Sequence, residues 1–234
     1  MRKTLLGFGF GTVLTLACQT SLAATTDNAL SSEEKSQGWE LLFDGHSLDK
    51  WRNYKGQTVS PKWVIDDGAM HLSTKGGGDV ISRDTYDNFD LKLEWKVSKA
   101  GNSGIFILAD EKGGAVYSHA PEIQILDNER HSDNKIDSHL SGSLYDMVAS
   151  PARSHKPAGE WNQVRIQLLD KHLQVWQNGI QTTSIVIGST TWNKLVDASK
   201  FATWKGFGEN HSGYIGLQDH GDPVWFRNIK IRSL

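Results

Sequence analysis

The chain is short of several things at once, and each shortage removes a class of protein. Among its 234 residues there is one cysteine, Cys18, so no disulfide framework and no cysteine-based zinc site holds the fold. Proline is scarce, at 5 residues, and there is no low-complexity block or internal repeat. Neither sign of charge dominates: 25 basic and 27 acidic side chains leave a formal net charge of −2, with no basic footprint for nucleic acid. No apolar run reaches membrane length, so no membrane span is expected. What is abundant is tryptophan, with 9, and glycine, with 23. That pairing points to β structure with many turns and to flat aromatic surfaces on which sugars stack, although large rings also serve as core.

The first residues read as a leader. Met1-Arg2-Lys3 is a short basic start, residues 5–17 form an apolar run, and Ser21-Leu22-Ala23 offers small residues to a signal peptidase. Residues 1–23 are therefore expected to be a signal peptide cleaved after Ala23, giving an exported, periplasmic protein. A lipid anchor on Cys18 is the less favoured alternative, because Thr15 fits poorly three residues before it. Residues 24–37 read as a polar linker with one helical turn, where Ser31 and Glu34 have capping-box spacing and Gly38 ends the turn.

From residue 38 to 234 the period is two and a single domain is expected. In the segment from Phe89 to Val97 every odd position is apolar and every even one charged, the pattern of a half-buried antiparallel strand. Asn178-Gly179 between alternating runs signals a tight hairpin. Val224 and Phe226 are out of phase with Ile229 and Ile231, which predicts a β-bulge near Arg227-Asn228. Many short strands favour an all-β, two-sheet antiparallel jelly-roll sandwich. Gly76-Gly77-Gly78 lacks the lysine and helix of a phosphate cradle and reads as a flexible hairpin loop. No Gly-x-Ser-x-Gly and no His-Glu-x-x-His occurs, and the 9 histidines are scattered, so no metal site is expected.

Two strand faces carry chemistry. Glu122 and Gln124 share one face while Ile123 and Ile125 point to the core; Asp127 is out of phase by one residue. Gly216, Gln218 and His220 oppose Ile215 and Leu217. Read alone, either is as well explained by a solvated strand face or a histidine bonded to a loop carbonyl. Together they are expected on one concave sheet face, converging on a cleft with at least one Trp or Tyr. Asn102-Ser103-Gly104 and Gly142-Ser143-Leu144-Tyr145-Asp146 are further polar segments, compatible with simple turn chemistry.

Motifs along almost the whole chain after the leader then carry a family resemblance. They are Gly38-Trp39-Glu40-Leu41-Leu42-Phe43-Asp44-Gly45 with Leu48 and Trp51, Asn102-Ser103-Gly104-Ile105, and Pro121-Glu122-Ile123-Gln124-Ile125-Leu126-Asp127. Gly142-Ser143-Leu144-Tyr145, Lys156-Pro157-Ala158-Gly159-Glu160-Trp161-Asn162, Asn178-Gly179, Gly216-Leu217-Gln218-Asp219-His220-Gly221 and Phe226-Arg227-Asn228-Ile229 complete them. The chain resembles the 3-keto-disaccharide hydrolase domain family, whose fold is a concanavalin A-like jelly roll. Glycosidases of that fold read Glu-x-Asp-x-x-Glu along the catalytic strand, and the matching offsets here are Glu122, Gln124 and Asp127. The amide and the shorter acid speak against a double displacement, whose two carboxyls flank the anomeric carbon. Many family members carry an arginine shortly after Asn-Ser-Gly, where this chain has Ile107-Leu108.

The resemblance implies cleavage of the glycosidic bond of 3-keto-glycosides. A ketone at C3 acidifies the C2 proton, and the glycosidic oxygen leaves from C1, so elimination followed by hydration is open to such an enzyme. Glu122, Asp127 and His220 are the expected proton carriers; Gln124, Gln218, Asn102 and Tyr145 are the expected substrate-binding groups. No cofactor is expected, with a divalent cation held by Glu, Asp and His as a minor alternative. The expected partner is an oxidised carbohydrate, and the competing reading is a non-catalytic carbohydrate-binding module.

Overall fold

The computed structural model describes Met1 and residues 26–234; the expected leader, its cleavage point and Cys18 lie outside the described residues. In chain order the strands are β1 (Glu40–Leu41), β2 (Trp51–Asn53), β3 (Trp63–Asp66), β4 (Ala69–Leu72), β5 (Val80–Ser82), β6 (Phe89–Val97) and β7 (Asn102–Ala109). There follow β8 (Glu122–Leu126), β9 (Asn162–Leu169), β10 (His172–Gln177), β11 (Ile180–Val186), β12 (Tyr214–Leu217) and β13 (Val224–Ser233). Two short helices, α1 (Ser32–Ser36) and α2 (Thr190–Asp197), complete the regular elements used below.

The strands form two antiparallel sheets, a jelly-roll sandwich. The larger has 8 strands in the order β11-β10-β9-β6-β13-β4-β3, with β1 added on β13; the smaller has 5, in the order β2-β5-β12-β7-β8. The alternation in β6 works as its sequence predicts: Phe89, Leu91, Leu93, Trp95 and Val97 are buried between the sheets. They meet Ile105, Ile107, Ile123, Ile125, Ile215 and Leu217 of the smaller sheet in one core. Asn178 and Gly179 both have positive φ, 49° and 80°, and close the β10–β11 hairpin as expected for that pair. The β6–β13 register slips between Arg227 and Lys230, with Asn228 at φ 52°, so the bulge lies where the phase change in the sequence predicts it.

Three details differ from the sequence reading. Asp90, a charged position on the outward face of β6, is fully buried because Arg165 covers it with two hydrogen bonds of 2.8 and 2.7 Å and Arg232 adds a third at 3.1 Å. The part of the expected linker that is described is docked on β13. Its capping box is formed, and Asn28 and Asn228 exchange backbone-to-side-chain hydrogen bonds of 2.5 and 2.8 Å. Lys230 pairs with Glu34 beside them. Gly76-Gly77-Gly78 is no hairpin loop: it links β4 of one sheet to β5 of the other. It is tied down by hydrogen bonds from Asn53 to Gly77 O, from Trp63 to Gly78 O, and from Gly78 N–H to Asp219.

Candidate active site

Strands β12, β7 and β8 lie side by side, with β8 at the edge of the smaller sheet. In antiparallel strands, residues directly opposite share a face. Gly104 faces Gln124, while Phe106 faces both Glu122 and Gly216. The two expected polar faces therefore belong to one sheet, and β7 separates them. The outward face divides in two. At one end Phe106, Ile81, Val116 and Ala120 form a small apolar cluster. At the other, Asn102, Glu122, Gln124 and Gln218 line a cavity of about 360 Å³ with Tyr117, Tyr145, Lys200, Trp204 and His220. Six of the seven expected site residues thus meet in one place, with aromatic walls.

Local sequence explains this placement. The free edge of β8 is covered by the Gly142-to-Tyr145 segment: Gln124 N–H donates to Ser143 O and Tyr145 N–H to Glu122 O. That turn brings the Tyr145 ring beside Glu122. Gly104 leaves the space above β7 in which the Glu122 carboxyl sits; a Cβ there would lie 2.2 Å from Glu122 Oε1. Ser103 donates to Gln218 O at 2.9 Å, and Gln218 N–H donates to Gly104 O, which fixes the end of β12 against β7. The Asp219 carboxylate accepts from Gly78 and Gly221 N–H, so the three-glycine segment steadies the turn that carries His220.

The electrostatics are unusual for a strand face. Glu122 is only 8% exposed. Burial pushes its carboxyl up to about 8; Lys200 opposes that rise, Asp79 and Asp133 add to it, and a hydrogen bond with Gln218 opposes it. At neutral pH it is a protonated acid that can give up its proton. Asp79, which accepts from Asp219 N–H, is itself raised to about 6 by burial. Asn102 Oδ1 and Gln218 Oε1 are buried with no hydrogen-bond partner among the described residues. An orphaned buried acceptor costs ~1–3 kcal/mol. Two of them in one cavity, beside aromatic rings, call for a ligand that brings hydroxyl donors.

Asp127 must be corrected. It was expected as a proton carrier, yet it lies outside the cavity lining and is 1% exposed. Its oxygens accept from Ala100 N–H at 2.7 Å, Glu129 N–H at 3.1 Å and Arg130 at 3.4 Å. Burial alone would raise its carboxyl, but these bonds outweigh it and hold it below the usual range. It closes the turn after β8. His220 is at the opposite extreme, an exposed side chain on the rim.

Sequence reasoning also missed groups. Lys200, Trp204 and Tyr117 reach the cavity from segments with no strand period, and nothing in their local sequence marks them. Behind Tyr145 lies a second set: its hydroxyl donates to Asp133 Oδ2 at 3.0 Å, and His139 sits 2.8 Å from both Asp133 and Asp146. Among the described residues, His131, His220 and Asp222 have the spacing for a divalent cation, with ligand atoms within 4.8 Å of one another. His131 Nδ1, however, accepts from Asp133 N–H at 3.1 Å. A neutral ring in that tautomer carries its proton on Nε2, the reverse of a metal-ligating histidine that donates through its other nitrogen. A larger cavity, about 750 Å³, lies across Trp204 and is lined by Trp192, Phe207 and several carboxylates. It contains none of the seven expected site residues.

Two antiparallel sheets with a polar, aromatic-walled cleft across the smaller one define the class, that of the jelly-roll β-sandwiches. Solved structures agree on the fold: a variant of SCLam, a non-specific endo-β-1,3(4)-glucanase, superposes with a TM-score of 0.51 at 11% identity over 89% of this chain and 99% of that one. A candidate glycosyl hydrolase from Parabacteroides distasonis ATCC 8503 matches with a TM-score of 0.82 and 30% identity, over 89% of this chain and all of the other. The chain belongs to the family of the 3-keto-alpha-glucoside-1,2-lyase-like domain, which matches residues 38–232. It is 39% identical to a 3-keto-disaccharide hydrolase of Bacteroides thetaiotaomicron over 92% of this chain and 84% of the relative.

Proposed function

We propose that this protein is an exported enzyme that cleaves the glycosidic bond of 3-keto-glycosides by elimination, followed by addition of water. The observation that carries this reading is Glu122: a buried acid, protonated at neutral pH and seated against Gly104 in the sugar-sized cavity. Elimination needs a proton for the leaving oxygen, and Glu122 supplies it. An ordinary retaining glycosidase would need a second carboxylate ~5–5.5 Å away as nucleophile. Asp127 is occupied in its turn and does not serve. The ammonium of Lys200 supplies positive charge for the enolate oxygen. Asn102, Gln124 and Gln218 hold the sugar hydroxyls, Tyr117 and Trp204 flank its faces, and His220 exchanges protons between the rim and water. The basic, apolar and small-residue pattern of residues 1–23 supports export to the periplasm. The names of the family and of the Bacteroides relative support the substrate class.

The test is a pair of chromogenic substrates, a 3-keto-glucoside and its unoxidised counterpart. Release from the keto sugar alone is the expected result. Equal release from both would mean an ordinary glycosidase, and release from neither a sugar-binding module.

A further inference from the structure

We infer that Tyr145 takes the C2 proton of the substrate while handing its own hydroxyl proton to Asp133, and that His139 is the positioning residue for this pair. The inference rests on the elimination chemistry proposed above and assigns its missing base.

Tyr145 lines the cavity, and its hydroxyl donates to Asp133 Oδ2 at 3.0 Å. With that proton committed, the phenol oxygen meets anything else in the cavity as an acceptor. Asp133 in turn is held from two sides. Its backbone N–H donates to His131 Nδ1, and its other carboxylate oxygen lies 2.8 Å from His139 Nδ1. His139 is buried, and its Nε2 lies 2.8 Å from Asp146 Oδ1. His139 is thereby clamped between two carboxylates, and the clamp fixes the Asp133 carboxylate to which Tyr145 donates. The His139 ring also stacks on Tyr145, centroids 4.4 Å apart and 24° from parallel. Lys200 completes the arrangement: its N–H donates to Asp146 Oδ2 at 2.7 Å, and its ammonium lies 4.1 Å from the centre of the Tyr145 ring.

Burial raises the Tyr145 hydroxyl well above its usual range, with Asp133, Glu122 and Asp146 adding to the rise. A standing phenolate is disfavoured, so the two transfers are coupled. The C2–H bond breaks and its proton goes to Tyr145 Oη, while the tyrosine proton moves to Asp133 Oδ2. The C–H electron pair forms the enolate and then the C1=C2 bond as the C1–O bond breaks, and the Glu122 proton goes to the leaving oxygen. Water addition runs the transfers backward. Its oxygen bonds to C1 as one proton passes to Glu122, and the Asp133 proton returns through Tyr145 to C2. No oxidant or reductant is consumed.

The groups facing Asp133 are Tyr145 and His139 of the same loop, His131 with His220 behind it, and Glu122 on β8; Asp146 lies beyond His139 and Lys200 beyond the Tyr145 ring. The measurement that isolates this step is C2 proton exchange with deuterated water, followed by NMR. Its probe is a 3-keto sugar with no leaving group at C1. Tyr145→Phe should slow exchange by ~10²-fold or more. Asp133→Asn, which leaves Tyr145 and His139 in place, should do the same and stands in if the tyrosine variant does not fold. His139→Gln should lower kcat about tenfold with KM nearly unchanged, because Asp133 loses the side chain that holds its second oxygen. Exchange within twofold of wild type in Tyr145→Phe, or an unchanged kcat in His139→Gln, overturns the inference. If that happens while wild type cleaves the keto-glucoside, the proposed function stands and this inference alone falls. A wild-type protein that neither cleaves nor exchanges overturns both.

Discussion

The two sheets turn opposite kinds of outward face away from the same core. On the larger sheet the main charged groups are matched, although His71 Nε2, Thr183 Oγ1 and Arg232 Nε are buried without a partner among the described residues. Asp90 is covered by Arg165 and Arg232, Lys96 lies between Trp161 and Trp225 at 4.9 and 4.7 Å, and Arg227 lies 4.2 Å over Trp161. On the smaller sheet the corresponding positions carry one buried acid, amides with unpartnered oxygens, and glycines that make room. Both faces obey the period of two. What differs is whether the neighbours complete each polar group or leave it for a ligand. Completed faces stabilise the fold, and incomplete ones cost stability and bind.

Substitutions on each face should then separate activity from stability. The largest expected effect is Glu122→Gln, which should lower cleavage of a 3-keto-glucoside by at least ~10²-fold while leaving the fold intact. The same variant tests the pH sign. A carboxyl raised from 4.5 to about 8 contributes stability that is full below its unfolded value and lost as pH rises through the folded one. Thermal melts of wild type should therefore fall between those pH values relative to Glu122→Gln, and parallel curves would refute the protonated acid. Next is Arg165→Ala, which strips the main cover from Asp90. Denaturant titration should show a loss of roughly 2 kcal/mol, discounted because the arginine is partly exposed, with kcat/KM unchanged. A matching loss of activity would show that the faces are not independent. Gly104→Ala should displace the Glu122 carboxyl and cost about tenfold in kcat. The smallest effect is expected from Lys96→Ala, ~0.5–1 kcal/mol of stability and no change in turnover.

The comparison also shows what a sequence can disclose. Features set by neighbours along the chain were legible: the β6 alternation, the Asn178-Gly179 hairpin, the Ser31–Glu34 cap and the bulge at Asn228. The polar faces of β8 and β12 were legible for the same reason, and their meeting across β7 follows from strand order. Features set by distant neighbours were not. Nothing in the β6 segment announces that two arginines from other strands will bury Asp90. The Gly76-Gly77-Gly78 segment looks like a loop tip until the two sheets it joins are placed. Asp127 sits at the offset of a catalytic acid, but its phase puts it in a turn where three donors claim it. Asp133 lies in a turn and His139 and Lys200 in single 3-10 turns, too short for any period to mark which side chains will converge.

The place of β13 has a consequence for how the chain is made. This strand, residues 224–233, lies inside the larger sheet, bonded to β6 on one side and to β4 and β1 on the other. Until residue 233 has left the ribosome, β6 with β9 to β11 and the β3–β4 pair are separate fragments with open edges. The contacts that join them span more than a hundred residues of sequence, the kind that form late. A nascent chain stopped short of β13 would expose two unpaired strand edges and half a core, a substrate for chaperones rather than a folding intermediate with a future. Closure of the larger sheet thereby waits for β13.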